Sequence, residues 1–339
     1  MKRILSLFIC VVMMASLFSG CLIKKKDGVA LTVGETELTA DEFAYYVYMC
    51  KSQLVQEKGV DISDDAAVEE FLKAKDGDLT NAEIICNNAI EEVTKMLVQY
   101  NKAIEMGLDL TEDENAECVN YINSMKTQMG GTTAYEQQLK ELGTTADAFE
   151  KLYRKNFVAG KLYDHLIADG TIAASEEETA EYIKTNYIKA AHILFSTQDA
   201  TTGMAYDEAT VASKKQLAEE TLAKINAGED FTTLMNELSE DPGLETAPTG
   251  YVFGKGEMVP QFEEAAFALG ENEVSGIVET SYGLHIIKRL PLEVDEESIA
   301  QYSSNATTAL QTDKIDALTE EWKAGYKITT NEKEMKKFK

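Results

Sequence analysis

At 339 residues the chain is too long for one hydrophobic core of ordinary size, and domain-size priors divide it into two or three units. Its 59 Asp and Glu against 32 Lys and Arg give a formal charge of −27, a field that disfavours nucleic acid and anionic lipid headgroups. Five cysteines with no CxxC, three histidines, and no HExxH, GxSxG or glycine-rich phosphate loop leave disulfide frameworks, zinc sites, serine hydrolysis and nucleotide chemistry without support, so neither a metal nor a cofactor is expected.

Residues 1–20 open on Lys2 and Arg3 and run apolar over 4–18, short of the roughly 20 residues a spanning helix needs, and so read as a secretion signal. Ser19 and Gly20 precede Cys21, an ending that resembles a bacterial lipoprotein cleavage box. That resemblance implies a lipid on the Cys21 thiol and an extracytoplasmic protein anchored to the bacterial cell membrane. A single acyl chain anchors only marginally, at about 0.8 kcal/mol per buried methylene, so stable attachment calls for a diacyl-type modification. Cleavage would remove Lys2 and Arg3, moving the formal charge from −27 to −29, and would leave 21–28 as a short linker at the anchor with a basic patch at Lys24, Lys25 and Lys26.

The stretch 29–188 is mainly helical. VALTVGETELTADEF at 29–43 alternates as a strand, turns at Gly34 and enters a helix whose N-cap is Thr39. Helical periodicity recurs over 40–58, 65–75, 81–106, 111–129, 133–142 and 145–169, punctuated by glycines such as Gly59, Gly107 and Gly170. Thr111 with Glu114 predicts a capping box. Tyr45, Tyr46, Tyr48, Tyr100, Tyr153 and Tyr163 suit a core or a groove lining, and Cys50, Cys86 and Cys118 suit small buried apolar positions. SEEETAEYIKTNYIK at 175–189 is a helical connector with three glutamates at its positive end.

Over 189–291 the pattern changes. A buried strand is predicted at 190–196, helices at 207–226, 231–238 and 260–269, and a last strand at 283–289. His192 in AAHILF and His285 in YGLHIIKRL, 93 positions apart, sit on the first and last of these strands. Between them come GEDF, LSEDP and GKGEMVPQFEEAAFALGENEVSG, in that order. This order and spacing resemble the parvulin family of peptidyl-prolyl isomerases, and the opening at 29–43 resembles the chaperone domain of SurA- and PrsA-like foldases. The implied fold is α+β: a small antiparallel sheet with surrounding helices, inserted into a mainly helical chaperone-like domain at 29–188. By the same resemblance the tail at 292–339, a helix over 295–322 and then YKITTN, packs back on that domain.

The resemblance also assigns roles. His192 and His285 would meet beneath a cleft and share a proton through their ring nitrogens, Thr280 would join them through its hydroxyl, and Asp241 would face the substrate amide. Met258 and Phe262, four apart and so on one helix face, match the pocket for the prolyl ring, with Phe253 counted among the substrate-binding residues. Two departures stand out. Where many relatives read GGDLG this chain has APTGYVF at 247–253, so that Tyr251 or Val252 takes the place of the apolar lid, and the loop STQDATTGMAYDEA after the first strand has no Lys or Arg, which argues against phosphoserine-proline specificity. The expected protein is a lipid-anchored foldase that isomerises X-Pro bonds in unfolded or newly secreted polypeptides, with no nucleic-acid partner and a homodimer left open. The alternative is a holdase whose parvulin domain is silent; a hydrolase built on Asp241 lacks an activated serine or cysteine.

Overall fold

Reciprocal caps set the helix starts of the first part of the chain. The computed structural model describes residues 28–61, 64–199, 202–294 and 296–338. The signal stretch, the linker to residue 27 and the expected lipid site Cys21 lie outside the described residues. Strands β1 (Val29–Val33) and β2 (Thr36–Thr39) form an antiparallel hairpin that leads into α1 (Ala40–Glu57). Thr39 Oγ1 accepts from the Glu42 N–H, and the Glu42 carboxylate accepts from the Thr39 N–H, satisfying two donors that a bare helix start would leave open.

Helix α2 (Asp65–Lys73) stops earlier than its periodicity suggests, because Gly77, with φ of +65°, turns a small hairpin of β3 (Lys75–Asp76) and β4 (Leu79–Thr80). Thr80 with Glu83 and Thr111 with Glu114 repeat the Thr39 cap at α3 (Asn81–Glu105) and α4 (Glu112–Gln128), and α5 (Thr132–Glu141) and α6 (Ala146–Ala168) follow. Their apolar faces meet around Leu31, Phe43, Leu97, Tyr135, Phe149 and Leu152.

Contacts divide the chain into two units. The first takes the described residues through Ala173 and again from Gln311; the second is Ala174–Leu310. The connector helix α7 (Glu176–Asn186), capped by Ser175 with Glu178, therefore counts with the second unit. After it come β5 (Ile188–Ser196), α8 (Glu208–Asn226), α9 (Phe231–Leu238), a 3-10 turn (Pro242–Glu245), β6 (Tyr251–Phe253), α10 (Pro260–Ala268), β7 (Val274–Thr280) and β8 (Gly283–Leu290). The strands form one antiparallel sheet in the order β6-β5-β8-β7. The α+β class expected from the sequence is what the chain adopts.

Strand alternation assigns the two faces of this sheet. Ala191, Ile193, Phe195, Leu284 and Ile286 point one way, into a core with Phe231, Leu234 and Met235 of α9 and Ala218 of α8. Ala190 and Ile287 point the other way, against Phe253, Phe262 and Ala266. The histidines share this second face. Gly283 makes the β7–β8 turn possible, since a Cβ there would lie 2.3 Å from the Phe195 carbonyl oxygen and its φ is +148°.

The chain then runs through α11 (Glu296–Lys323) and β9 (Ile328–Thr330) to α12 (Glu332–Met335). Strand β9 pairs antiparallel with β1, Val33 opposite Ile328, and Ile315 of α11 joins Val158, Leu162 and Leu166 of α6. Among the described residues no helix is long and apolar enough to cross a membrane.

Candidate active site

Register brings the two histidines together. His192 is paired with Ile287 across the sheet, and His285 with Leu194, so the imidazoles are diagonal neighbours on one face. The rings lie nearly parallel, 5.1 Å between centroids, with Nδ1 to Nδ1 at 3.0 Å. Asp241 arrives from outside the sheet. Strand β6 pairs only with Ile188–Ala190 of β5; further along, the Glu240 N–H donates to the Leu194 carbonyl at 2.8 Å and Ser239 Oγ accepts from the Leu194 N–H at 3.1 Å. That anchorage sets Asp241 at the start of the 3-10 turn with Oδ2 2.9 Å from His192 Nε2. On the far side Thr280 Oγ1 lies 2.9 Å from His285 Nε2.

Two charge states follow from these surroundings. Burial works against the Asp241 charge, but donors from His192, the Tyr251 hydroxyl and the Gly243 N–H outweigh it and draw the carboxyl down to about 2. Burial first, then the adjacent His192 ring, draws His285 down to about 3 against the opposing pull of Asp241, so this imidazole is neutral. With Asp241 ionised, His192 donates from Nε2–H to Oδ2, and the two Nδ1 atoms share one proton between the rings. Thr280 Oγ1 bonds to His285 Nε2 and accepts from the Tyr282 N–H. The line of bonds ends at the carboxylate, which lines a cavity of about 520 Å³.

The cavity wall is apolar on one side. Met258 and Phe262 line it, though not from one helix face: α10 starts at Pro260, so Met258 comes from the turn ahead of it. Phe262 packs T-shaped with both imidazoles, centroids 5.1 Å from His192 and 5.4 Å from His285. Phe253 stands elsewhere than in the lining: it is 1% exposed and packs behind Phe262, 5.9 Å between centroids, where it fixes the ring that faces the cavity. Thr280 likewise lies beneath the cavity. The site thus gathers His192, Asp241, His285, Met258 and Phe262 at one cleft, with Thr280 and Phe253 one layer below.

One contributor was not foreseen. The Tyr251 hydroxyl donates to Asp241 Oδ2 at 2.6 Å, and burial, reinforced by the charge it faces, pushes that hydroxyl above its ordinary range, so it stays a donor. Of the two lid candidates Tyr251 lines the cleft, while Val252 packs on the opposite side with Tyr182, Tyr187 and Leu292. The signal was there in the alternation: Tyr251 shares a strand face with Phe253, two residues on.

Comparison with known proteins identifies the family. A PPIC-type PPIase domain matches residues 177–290. The foldase protein PrsA of Geobacillus kaustophilus is 31% identical over 259 residues, covering 74% of this chain and 80% of that protein. The chain belongs to the PrsA foldase family. It carries a parvulin-type peptidyl-prolyl isomerase domain, the class that the motifs around His192 and His285 led us to expect. PrsA of Halalkalibacterium halodurans is 32% identical over 58% of this chain and 56% of its own length. The crystal structure of PrsA from Bacillus subtilis aligns at 26% identity over 75% of this chain and 89% of that one, with a TM-score of 0.26.

Proposed function

We propose that this PrsA-family foldase acts outside the cytoplasm, held to the cell membrane by a lipid on Cys21, and isomerises X-Pro bonds in newly secreted, unfolded polypeptides. Rotation about such a bond passes a twisted amide that has lost its resonance, a barrier of about 18–20 kcal/mol, and no covalent bond is made or broken. The enzyme therefore has to grip the prolyl ring, exclude water and favour the twisted amide over both planar forms. Met258 and Phe262 offer the grip. Asp241 offers a fixed negative charge beside the amide, whose nitrogen regains its lone pair and whose carbonyl sheds charge as resonance breaks. His192, backed by a neutral His285, holds that carboxylate in place, and Thr280 fixes the outer imidazole.

The observation that carries this reading is the unbroken hydrogen-bond line from Thr280 through both histidines to Asp241, ending at a cavity whose other wall is Met258 and Phe262. Asp241→Ala should lower kcat/KM on a short X-Pro peptide by roughly 100-fold, the lower end of what one preorganised electrostatic group contributes. An unaltered protein that gives no acceleration over the thermal rate would leave a holdase with a silent isomerase domain. For the anchor, Cys21→Ala should release the protein from the membrane fraction; a variant still retained there sinks the lipid assignment.

A further inference from the structure

Asp241 accepts from three directions. His192 Nε2 and the Tyr251 hydroxyl converge on Oδ2 at 2.9 and 2.6 Å, and the Gly243 N–H reaches Oδ1 at 3.0 Å. The Tyr251 ring stands edge-on to the His192 imidazole, 5.7 Å between centroids at 83°, so it bounds both members of the pair. Its hydroxyl occupies a space that only a glycine leaves open. A Cβ built on Gly243 would lie 2.1 Å from Tyr251 Oη, 3.2 Å from Cζ and 3.4 Å from Asp241 Oδ1. Gly243 is not among the residues with positive φ, so its backbone alone would accept an alanine; what forbids the methyl is the tyrosine hydroxyl.

We propose that Tyr251 and Gly243 are a matched pair that positions Asp241: the hydroxyl enters the gap beside Gly243, occupies part of Oδ2 and fixes the carboxylate so that His192 meets it along one line. Tyr251 is a positioning residue here, acting on the substrate through Asp241. A carboxylate has about four acceptor sites. Tyr251, His192 and Gly243 fill three of them, which leaves the group little freedom to swing into the cleft. The inference rests on the reading of Asp241 as the charge that faces the substrate amide.

The other ionisable groups that face this cleft are His285 from β8, Tyr282 in the turn before it, Glu240 beside Asp241, which pairs with Lys214, Glu257, held by the Gly254 N–H and by Asn305, and Asp199, which accepts from the Thr202 N–H and hydroxyl. Neither substitution below touches them. In the full chain, Tyr251→Phe keeps the ring and removes the donor; Gly243→Ala keeps the donor and evicts it. Each should raise the titration midpoint of the Asp241 carboxyl, followed by its 13C resonance, by about one pH unit, because each takes away a hydrogen bond to the charged form. A role confined to packing would leave that midpoint where it was. Each should also lower kcat/KM on an X-Pro peptide by roughly three- to tenfold, the range of one ordinary hydrogen bond.

The decisive measurement is the double variant. Once the hydroxyl is gone, the methyl on residue 243 meets only a ring edge, so Gly243→Ala should cost less than about twofold in the Tyr251→Phe background. An Asp241 midpoint unmoved in Tyr251→Phe, or equal losses from Gly243→Ala in both backgrounds, overturns the pairing. Asp241→Ala run alongside keeps the two claims apart. Full activity in that variant removes the role of Asp241 itself, whereas lost activity there with no coupling between 243 and 251 removes only the pairing.

Discussion

The two units bury polar groups to opposite ends. In the first, Glu42 is 1% exposed, yet every partner closes the fold: the Thr39 N–H and hydroxyl at 2.8 and 2.9 Å, and Lys155 Nζ at 2.7 Å. Thr144 and Asn81 are also buried, and they donate to the carbonyls of Asp41 and Phe71. In the second unit Thr280 and His285 are buried too, but they bond to each other and on through His192 to Asp241, in a line that ends at a cavity. Taking any such group out of water has a cost that hydrogen bonds must offset. A carboxylate matched to a half-buried cation and a helix start is neutralised where it stands. One held by an imidazole, a phenol and a backbone amide at the mouth of a cleft keeps its charge for whatever enters.

Acid should separate the two units most strongly. An unfolded imidazole takes up a proton near pH 6.5, whereas folded His285 resists until about pH 3. Its contribution to stability is whole above about pH 6.5 and drains away as pH falls towards 3, at up to about 1.4 kcal/mol per pH unit. Asp241 adds a second loss in the same direction: its contribution is whole above the ordinary carboxyl range and fades as pH falls towards 2. Amide exchange of β5 and β8, corrected for intrinsic rates, should therefore accelerate between pH 7 and pH 4 by more than that of α3 and α6. His285→Asn should flatten that slope. A loss equal in both units would break the comparison.

Next in size is Glu42→Ala. It leaves the half-buried Lys155 without its counter-charge and the Thr39 N–H without its cap, a loss of about 2 kcal/mol from the first unit. Denaturant melts followed by a probe on α1 should register this. Isomerisation of a short X-Pro peptide should not change, because the residues proposed for it all lie in Ala174–Leu310. A matching fall in peptide turnover would mean that Glu42 serves the reaction after all.

These contrasts also explain what could be read beforehand. Helices with strong punctuation were legible: Thr39, Thr111 and Ser175 start their helices where the capping chemistry requires, and ends marked by glycine fell within a few residues. The pairing of His192 with His285 was legible because motif order stood in for sheet register. Strands β3, β4, β6 and β7 were not. Lys75–Asp76 and Leu79–Thr80 are too short to carry a period, though Asp76-Gly77 is a known turn signal. Val274–Thr280 is broken by Gly276 and half-exposed along its length, so its alternation is weak, and it is held by its hairpin with β8. The Tyr251 contact was hidden for another reason: it depends on the space beside Gly243, a tertiary fact that no local pattern encodes.

The smallest effect tests where the buried line ends. Thr280 is 8% exposed, and its hydroxyl bonds to His285 Nε2 and accepts from the Tyr282 N–H. Thr280→Val keeps the shape and the β-branched preference for a strand but removes both bonds. It should cost about 1 to 2 kcal/mol, since an imidazole nitrogen and an amide are left short of a partner. Thr280→Ser, which restores the hydroxyl while losing only a methyl, should recover most of that. Turnover in the valine variant should drop by no more than about threefold, because His192 still links His285 to Asp241 when the outermost bond is cut. If valine is as stable as threonine and serine is worse than both, residue 280 is there to fill space, and the polar line begins at His285.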